Sequence, residues 1–229
     1  MNASLPGEPR TRVVGVVSEL SVWEQLGQSD LPCDWVELRL DALPETARLL
    51  PLSHPCPRPL LLTPRHESEG GRCGWTDAQR AELTRRLLPA AAALDWEIAR
   101  LEGAGELIAE AKARGVVIIA SAHYFNGMPT LQEMCELEAR ALAAGADIVK
   151  IAFTPADESQ MALGVEFLQQ QREGIRAAVM GMGPLAAASR ALYTRHGSAL
   201  LYGYLGSSPT APGQLSARRC TEMRDSEQP

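Results

Sequence analysis

Eight short apolar runs recur along the chain, separated by stretches with helical spacing, and this alternation limits the fold more than any other feature. The runs are Val13 to Val17, Trp35 to Leu40, Pro59 to Thr63, Ala93 to Ile98, Val116 to Ser121, Asp147 to Phe153, Ile175 to Met180 and Ser198 to Tyr202. They are continuous rather than alternating, as strands covered on both faces are. Between them, Thr76 to Leu88 opens on Thr-Asp, and Gly103 to Arg114 stops at Gly115. Thr130 to Ala144 stops at Gly145, Pro155 to Gln171 begins with proline, and Pro184 to Arg195 ends near Gly197. These are ordinary helix start and stop signals. Strands alternating with crossover helices predict an α/β fold, a single (β/α)8 TIM barrel of parallel strands spanning residues 1–229. An open doubly wound sheet is the other arrangement, but no GxGxxG follows the first strand. Residues 1–11 and 218–229 are polar and are expected to be loose tails, which leaves the final helix short.

A length of 229 residues suits one such barrel. The formal net charge of -6 provides no basic stripe to collect phosphates, so neither nucleic acid nor an anionic membrane is the expected partner. The five cysteines (Cys33, Cys56, Cys73, Cys135, Cys220) are scattered, without a CxxC pair, and read as free thiols of a reducing cytosol. No signal-like start and no apolar run of membrane-spanning length occurs. A cytoplasmic protein is expected.

In such barrels the active site lies at the C-terminal ends of the strands. That rule converts the strand list into a site list. Strand two ends in Glu37-Leu-Arg39-Leu-Asp41, and strand three runs into Thr63-Pro-Arg65 and Glu69-Gly-Gly. Strand four carries Asp95 and Glu97, strand five ends in Ser121-Ala-His123-Tyr-Phe125, and strand six holds Lys150. Strand seven ends near Met180 and Met182, followed by Ser189-Arg190, and Thr210-Ala-Pro-Gly-Gln214 follows strand eight.

Lys150 is the sharpest signal. Of 22 basic residues only Lys112 and Lys150 are lysine, and lysine, unlike arginine, can give up its proton when desolvated and attack a carbonyl. Within its strand Lys150 shares a face with Ile148, opposite Val149 and Ile151. Two readings are equally supported by this residue alone: a Schiff-base nucleophile, or a lysine ion-paired inside the barrel with Glu37 or Glu97. His123, on the neighbouring strand, favours the first, because an imidazole beside a barrel lysine is a natural proton shuttle. Glu69 is placed to orient it. Arg39, Arg65 and Arg190 can form a cationic rim for an anionic substrate, since arginine binds carboxylates through two parallel hydrogen bonds. Ion pairing with barrel acids is their other use. The histidines His54, His66 and His196 read as solvated. No cluster has zinc-ligand spacing, and neither a metal nor an organic cofactor is expected.

Taken in order, these strand-end motifs, with Asp95-Trp-Glu97, Asp147-Ile-Val-Lys150-Ile-Ala, Met182-Gly and Ala211-Pro-Gly-Gln214, resemble those of the type I 3-dehydroquinate dehydratases over roughly residues 13 to 217. The resemblance implies a lyase of the shikimate pathway and of aromatic amino acid biosynthesis. Lys150 would form a Schiff base with the C3 ketone of 3-dehydroquinate. His123 would be the general acid/base and Glu69 its partner. Arg190 would hold the substrate carboxylate, with Glu37, Arg39, Arg65 and Gln214 on hydroxyls and Thr210 in the loop beside them. Met180, Met182 and Phe125 would pack on the ring. A homodimer is implied by the resemblance alone. Three positions depart from the family pattern: Tyr124 after the histidine, Ala186 where glycine is usual, and the polar C-terminal segment. Two other functions remain. A class I aldolase-type barrel acting on a small anionic ketone would cleave a carbon–carbon bond without water loss. A non-catalytic relative would bind without a trappable adduct.

Overall fold

The computed structural model describes residues 10–28, 30–207, 209 and 213–227. Its strands are β1 (Arg12–Val17), β2 (Trp35–Arg39), β3 (Leu60–Thr63), β4 (Ala93–Glu97), β5 (Val117–Tyr124), β6 (Ile148–Phe153), β7 (Arg176–Gly181) and β8 (Leu200–Tyr204). All are parallel and pair in the order β7-β6-β5-β4-β3-β2-β1-β8. A helix follows every strand: α1 (Leu20–Gln25), α2 (Leu50–Ser53), α3 (Asp77–Leu87), α4 (Gly105–Ala113), α5 (Leu131–Ala143), α6 (Glu158–Gln169), α7 (Ala186–Arg195) and α8 (Ala217–Glu227). This is the expected (β/α)8 barrel, nearly closed. Among the described residues no helix is long and apolar enough to cross a membrane.

The two faces of the strands have different neighbours. Val13, Val36, Leu62, Trp96, Ile118, Val149 and Ile151 belong to one apolar cluster, which includes helix residues such as Leu107, Met134 and Phe167. Val14, Trp35, Leu61, Ala93, Ile119, Ile148 and Ala152 belong to a second cluster, drawn from strands and strand ends and filling the barrel interior. Because side chains alternate with period two, Lys150 falls on the interior face between Ile148 and Ala152. Glu37 and Arg39 follow Trp35 on that face, Asp95 and Glu97 follow Ala93, and Ser121 and His123 follow Ile119.

The seam between β7 and β8 is closed without a strand ladder. Ala199 N–H donates to the Ala177 carbonyl at 2.8 Å. The Ser198 hydroxyl accepts from Val179 N–H at 3.0 Å and donates to the Val179 carbonyl at 3.3 Å. Helices α7 and α8 pack on β7 and β8 and on each other.

Several expectations need correction. The segment from 218 read as a loose tail is helix α8 as far as Glu227. Its inner face is Ala217, Cys220 and Arg224, spaced as one helical stripe, all at most 5% exposed. Arg224 tolerates burial because Asp34 and Asp225 flank its guanidinium. At the other end, Thr11 is fully buried and donates to the Ser198 carbonyl at 2.7 Å, while residues 1–9 lie outside the described residues. The short α1 and α2 were not anticipated. Helix α6 starts later than Pro155, at the Asp157 cap, whose side chain accepts from Gln160 N–H.

Candidate active site

The C-terminal mouth of the barrel opens on a cavity of about 110 Å³, room for a small molecule and not for a polymer. Lining it are Glu37, Arg39, Arg65, Glu69, His123, Phe125, Lys150, Met180, Met182, Arg190 and Gln214. Every site residue expected from the sequence is therefore gathered in one place, except Thr210, which lies outside the described residues. Tyr202 also lines the cavity and was missed; so was Asp95 as the partner of the lysine.

Lys150 is 4% exposed. Its Nζ donates to Asp95 Oδ2 at 3.0 Å, so the ion-pair partner is Asp95 and neither Glu37 nor Glu97. The same Nζ lies 4.4 Å from the centroid of the Tyr202 ring. The lysine is thus ion-paired, with a different acid from either one expected, and it also lines the cavity. Asp95 also binds Arg65 at 2.9 Å and accepts from Ser121 Oγ at 2.6 Å. Burial works against its charge, but Arg65 and Lys150 outweigh it and hold the carboxyl well below the usual range. Arg65 is spent on barrel acids, with Glu97 at 3.0 Å as its second partner. Burial opposes its charge too, and Asp95 and Glu97 more than compensate. Glu97 in turn is gripped by Arg80 from α3, and Glu37 accepts from Thr63 Oγ1 at 2.8 Å.

His123 Nδ1 lies 2.8 Å from Glu69 Oε2. Burial, then the charges of Arg65 and Lys150, push the imidazole well below its ordinary pKa of 6.5. Burial pushes Glu69 up to about 7, with Arg65 working in the other direction. One proton lies between the two groups near neutrality. With it on Nδ1, the Nε2 lone pair is free to take a proton from a ligand. Phe125 stacks near the imidazole, ring centroids 6.4 Å apart. Tyr124 faces the outer cluster instead, so this departure leaves the His123–Glu69 bond untouched.

The arginines divide. Arg39 makes a bidentate pair with Asp41 at 2.9 and 2.8 Å. Arg190 has no carboxylate partner among the described residues. Its Nη1 donates to the Tyr202 carbonyl at 2.6 Å and its buried Nε has no partner. A buried guanidinium with an unmet donor at a cavity wall has the chemistry to take an anion. Ala186, the second departure, is buried at the start of α7, where only a glycine at 213 leaves room for its methyl group. No cluster of three or more His, Cys, Asp or Glu able to hold a metal occurs among the described residues.

The family description "Type I 3-dehydroquinase" matches residues 14–228. The chain belongs to that family. It is an enzyme, a dehydratase. The "3-dehydroquinate dehydratase" of Methanosarcina barkeri is 31% identical over 221 residues, covering 91% of each chain. That of Enterococcus faecalis is 30% identical over 220 residues, covering 90% of this chain and 87% of its own. The solved structure of the Enterococcus faecalis enzyme superposes with a TM-score of 0.81 at 26% identity, covering 97% of this chain and 96% of that one. The Geobacillus kaustophilus structure shares the fold, with a TM-score of 0.84 at 23% identity.

Proposed function

We propose that this enzyme dehydrates 3-dehydroquinate to 3-dehydroshikimate through a Schiff base on Lys150. The observation that carries the reading is the convergence, in one cavity at the barrel mouth, of a buried lysine, an imidazole backed by Glu69, and an arginine whose Nε has no partner. His123 takes a proton from the Lys150 ammonium, the freed Nζ lone pair attacks the C3 carbonyl carbon, and the carbonyl oxygen departs as water carrying two protons from the nitrogen, relayed by His123. The iminium that remains is an electron sink. His123 Nε2 takes a proton from C2, and the released pair neutralises the nitrogen as an enamine. The enamine then expels the C1 hydroxyl, which leaves as water with the proton from His123. Water adds to C3 and frees the lysine. The sink resides in the iminium, so no metal or organic cofactor is required.

Arg190 takes the substrate carboxylate. Glu37, Arg39, Arg65 and Gln214 face the hydroxyls, with Thr210 in the same loop region, and Met180, Met182 and Phe125 wall the ring. A cytoplasmic homodimer fits this role. With the family shown, no observation favours the aldolase reading. The test is incubation with 3-dehydroquinate, reading the absorbance of the conjugated enone, followed by borohydride reduction and mass mapping of Lys150. Enone without a reduced adduct would leave dehydration standing and remove the Schiff base.

A further inference from the structure

Tyr202 links two cations of the cavity. It lies on the inward-facing row of β8, 4% exposed, in the same apolar cluster as Val14, Ala152 and Met180. Its backbone carbonyl fixes Arg190 Nη1 at 2.6 Å, and its ring carries Lys150 Nζ 4.4 Å from the centroid. The lysine nitrogen therefore has two electron-rich neighbours, the Asp95 carboxylate and an aromatic face. The two respond differently to chemistry at the nitrogen. An ammonium has three N–H donors. An iminium formed from it has one, so hydrogen bonding to Asp95 can satisfy only that single donor. A π face attracts the charge itself rather than a particular hydrogen, and at a nitrogen as buried as that of Lys150 the attraction persists after the donors are lost.

We infer that the Tyr202 ring is a further functional group of this site, stabilising the positive charge of the iminium on Lys150. The inference rests on the Schiff-base reading. It applies to both cationic states of the cycle: the iminium before C2 gives its proton to His123, and the conjugated iminium after the C1 hydroxyl has left as water. The neutral enamine between them gains nothing from the ring. The hydroxyl is not the active part, because the Tyr202 Oη is buried without a hydrogen-bond partner.

The experiment measures borohydride-trapped Lys150 adduct against the concentration of an equilibrated mixture of 3-dehydroquinate and 3-dehydroshikimate. Tyr202→Phe retains the native half-saturation. Tyr202→Leu shifts it about 2- to 30-fold upward, the range expected for one desolvated cation–π contact. Phenylalanine at 202 carrying one, two and three ring fluorines preserves the shape while draining the face, and the shift grows with each fluorine; this series decides the matter if the leucine variant fails to fold. Non-covalent affinity in a Lys150→Met background changes less than about 2-fold with Tyr202→Leu. Half-saturation that ignores fluorination, or an equal loss of affinity in the Lys150→Met background, makes the ring an apolar wall and overturns the inference alone. Absence of any trapped adduct in the native enzyme overturns the inference together with the Schiff base.

Discussion

Lys150 Nζ sits 3.0 Å from Asp95 Oδ2, and Asp95 is shared with Arg65, whose guanidinium lies 2.9 Å from its other oxygen. Asp95 thus neutralises two buried cations, whereas Lys150 is one of two partners of a single acid. Asp95→Asn leaves Lys150 without its acid and Arg65 with Glu97 alone, and should lower the unfolding free energy by about 3–5 kcal/mol. Lys150→Met leaves Asp95 its arginine and Ser121, and should cost clearly less. Urea melts of the two variants check this; equal losses would mean that Arg65 does not support the aspartate.

Lys150 and His123 divide the chemistry. Lys150→Ala should abolish turnover and covalent trapping while leaving substrate binding, because Arg190 remains. His123→Ala should cut turnover by about 10²- to 10⁴-fold, or more if it serves several steps, and still accumulate an adduct. Mass spectrometry after borohydride reduction separates the two cases. Native turnover in His123→Ala would move the proton shuttle elsewhere, with Glu69 the next candidate.

Arg190 is the arginine with unmet donors, while Arg39 and Arg65 are already engaged by Asp41, Asp95 and Glu97. Arg190→Ala should therefore raise KM about 10- to 100-fold, the worth of a hydrogen bond to a charged group, with little loss of stability. Steady-state kinetics and a thermal melt test both halves of that statement.

The His123–Glu69 pair sets a pH dependence. Glu69 is raised above its ordinary 4.5, to about 7, so the folded state holds more protons there and stability falls as pH rises through that window. His123 is lowered below 6.5, so the unfolded state holds more protons and stability falls as pH drops below 6.5. Between about pH 5 and 6.5 the two slopes oppose each other. Glu69→Gln removes the first, and the difference in stability between pH 6.5 and pH 5 should grow by up to about 2 kcal/mol in favour of the higher pH. Urea melts at the two pH values measure it; an unchanged slope would show that Glu69 is not titrating in the fold.

Glu69 reaches His123 from the loop between β3 and α3, and Gly71 anchors that loop. A Cβ at 71 would overlap the backbone carbonyl of Arg65. Gly71→Ala should push the loop outward, lower turnover along with the hydrogen bond, and cost about 1–3 kcal/mol, as overpacking does. Native activity in that variant would place the support of Glu69 elsewhere.

The strands were legible because continuous apolar runs mark them, and the rule that barrel sites lie at the strands' C-terminal ends then gathered Lys150, Glu37 and His123. What escaped has particular causes. Helix α8 hides its inner face behind Arg224, whose burial depends on Asp34, a residue far away in sequence. Asp95 and Glu97 are both interior acids two positions apart, and nothing local says which one reaches across to β6. Tyr202 looked like one more apolar residue of a strand, since its partners are the nitrogen of Lys150 and, through its carbonyl, Arg190. These three misses are long-range pairings, which residue spacing along the chain does not encode.

The seam between β7 and β8 bears on solubility. A sheet that stops short of a full ladder has edges, and edge N–H and C=O groups are templates for adding a strand from another molecule. At this seam the Ser198 hydroxyl occupies both the N–H and the carbonyl of Val179, and α7 and α8 lie over the strands. That side-chain oxygen stands where a rung is missing, so the N–H and carbonyl of Val179 are already bonded and offer a foreign strand no purchase.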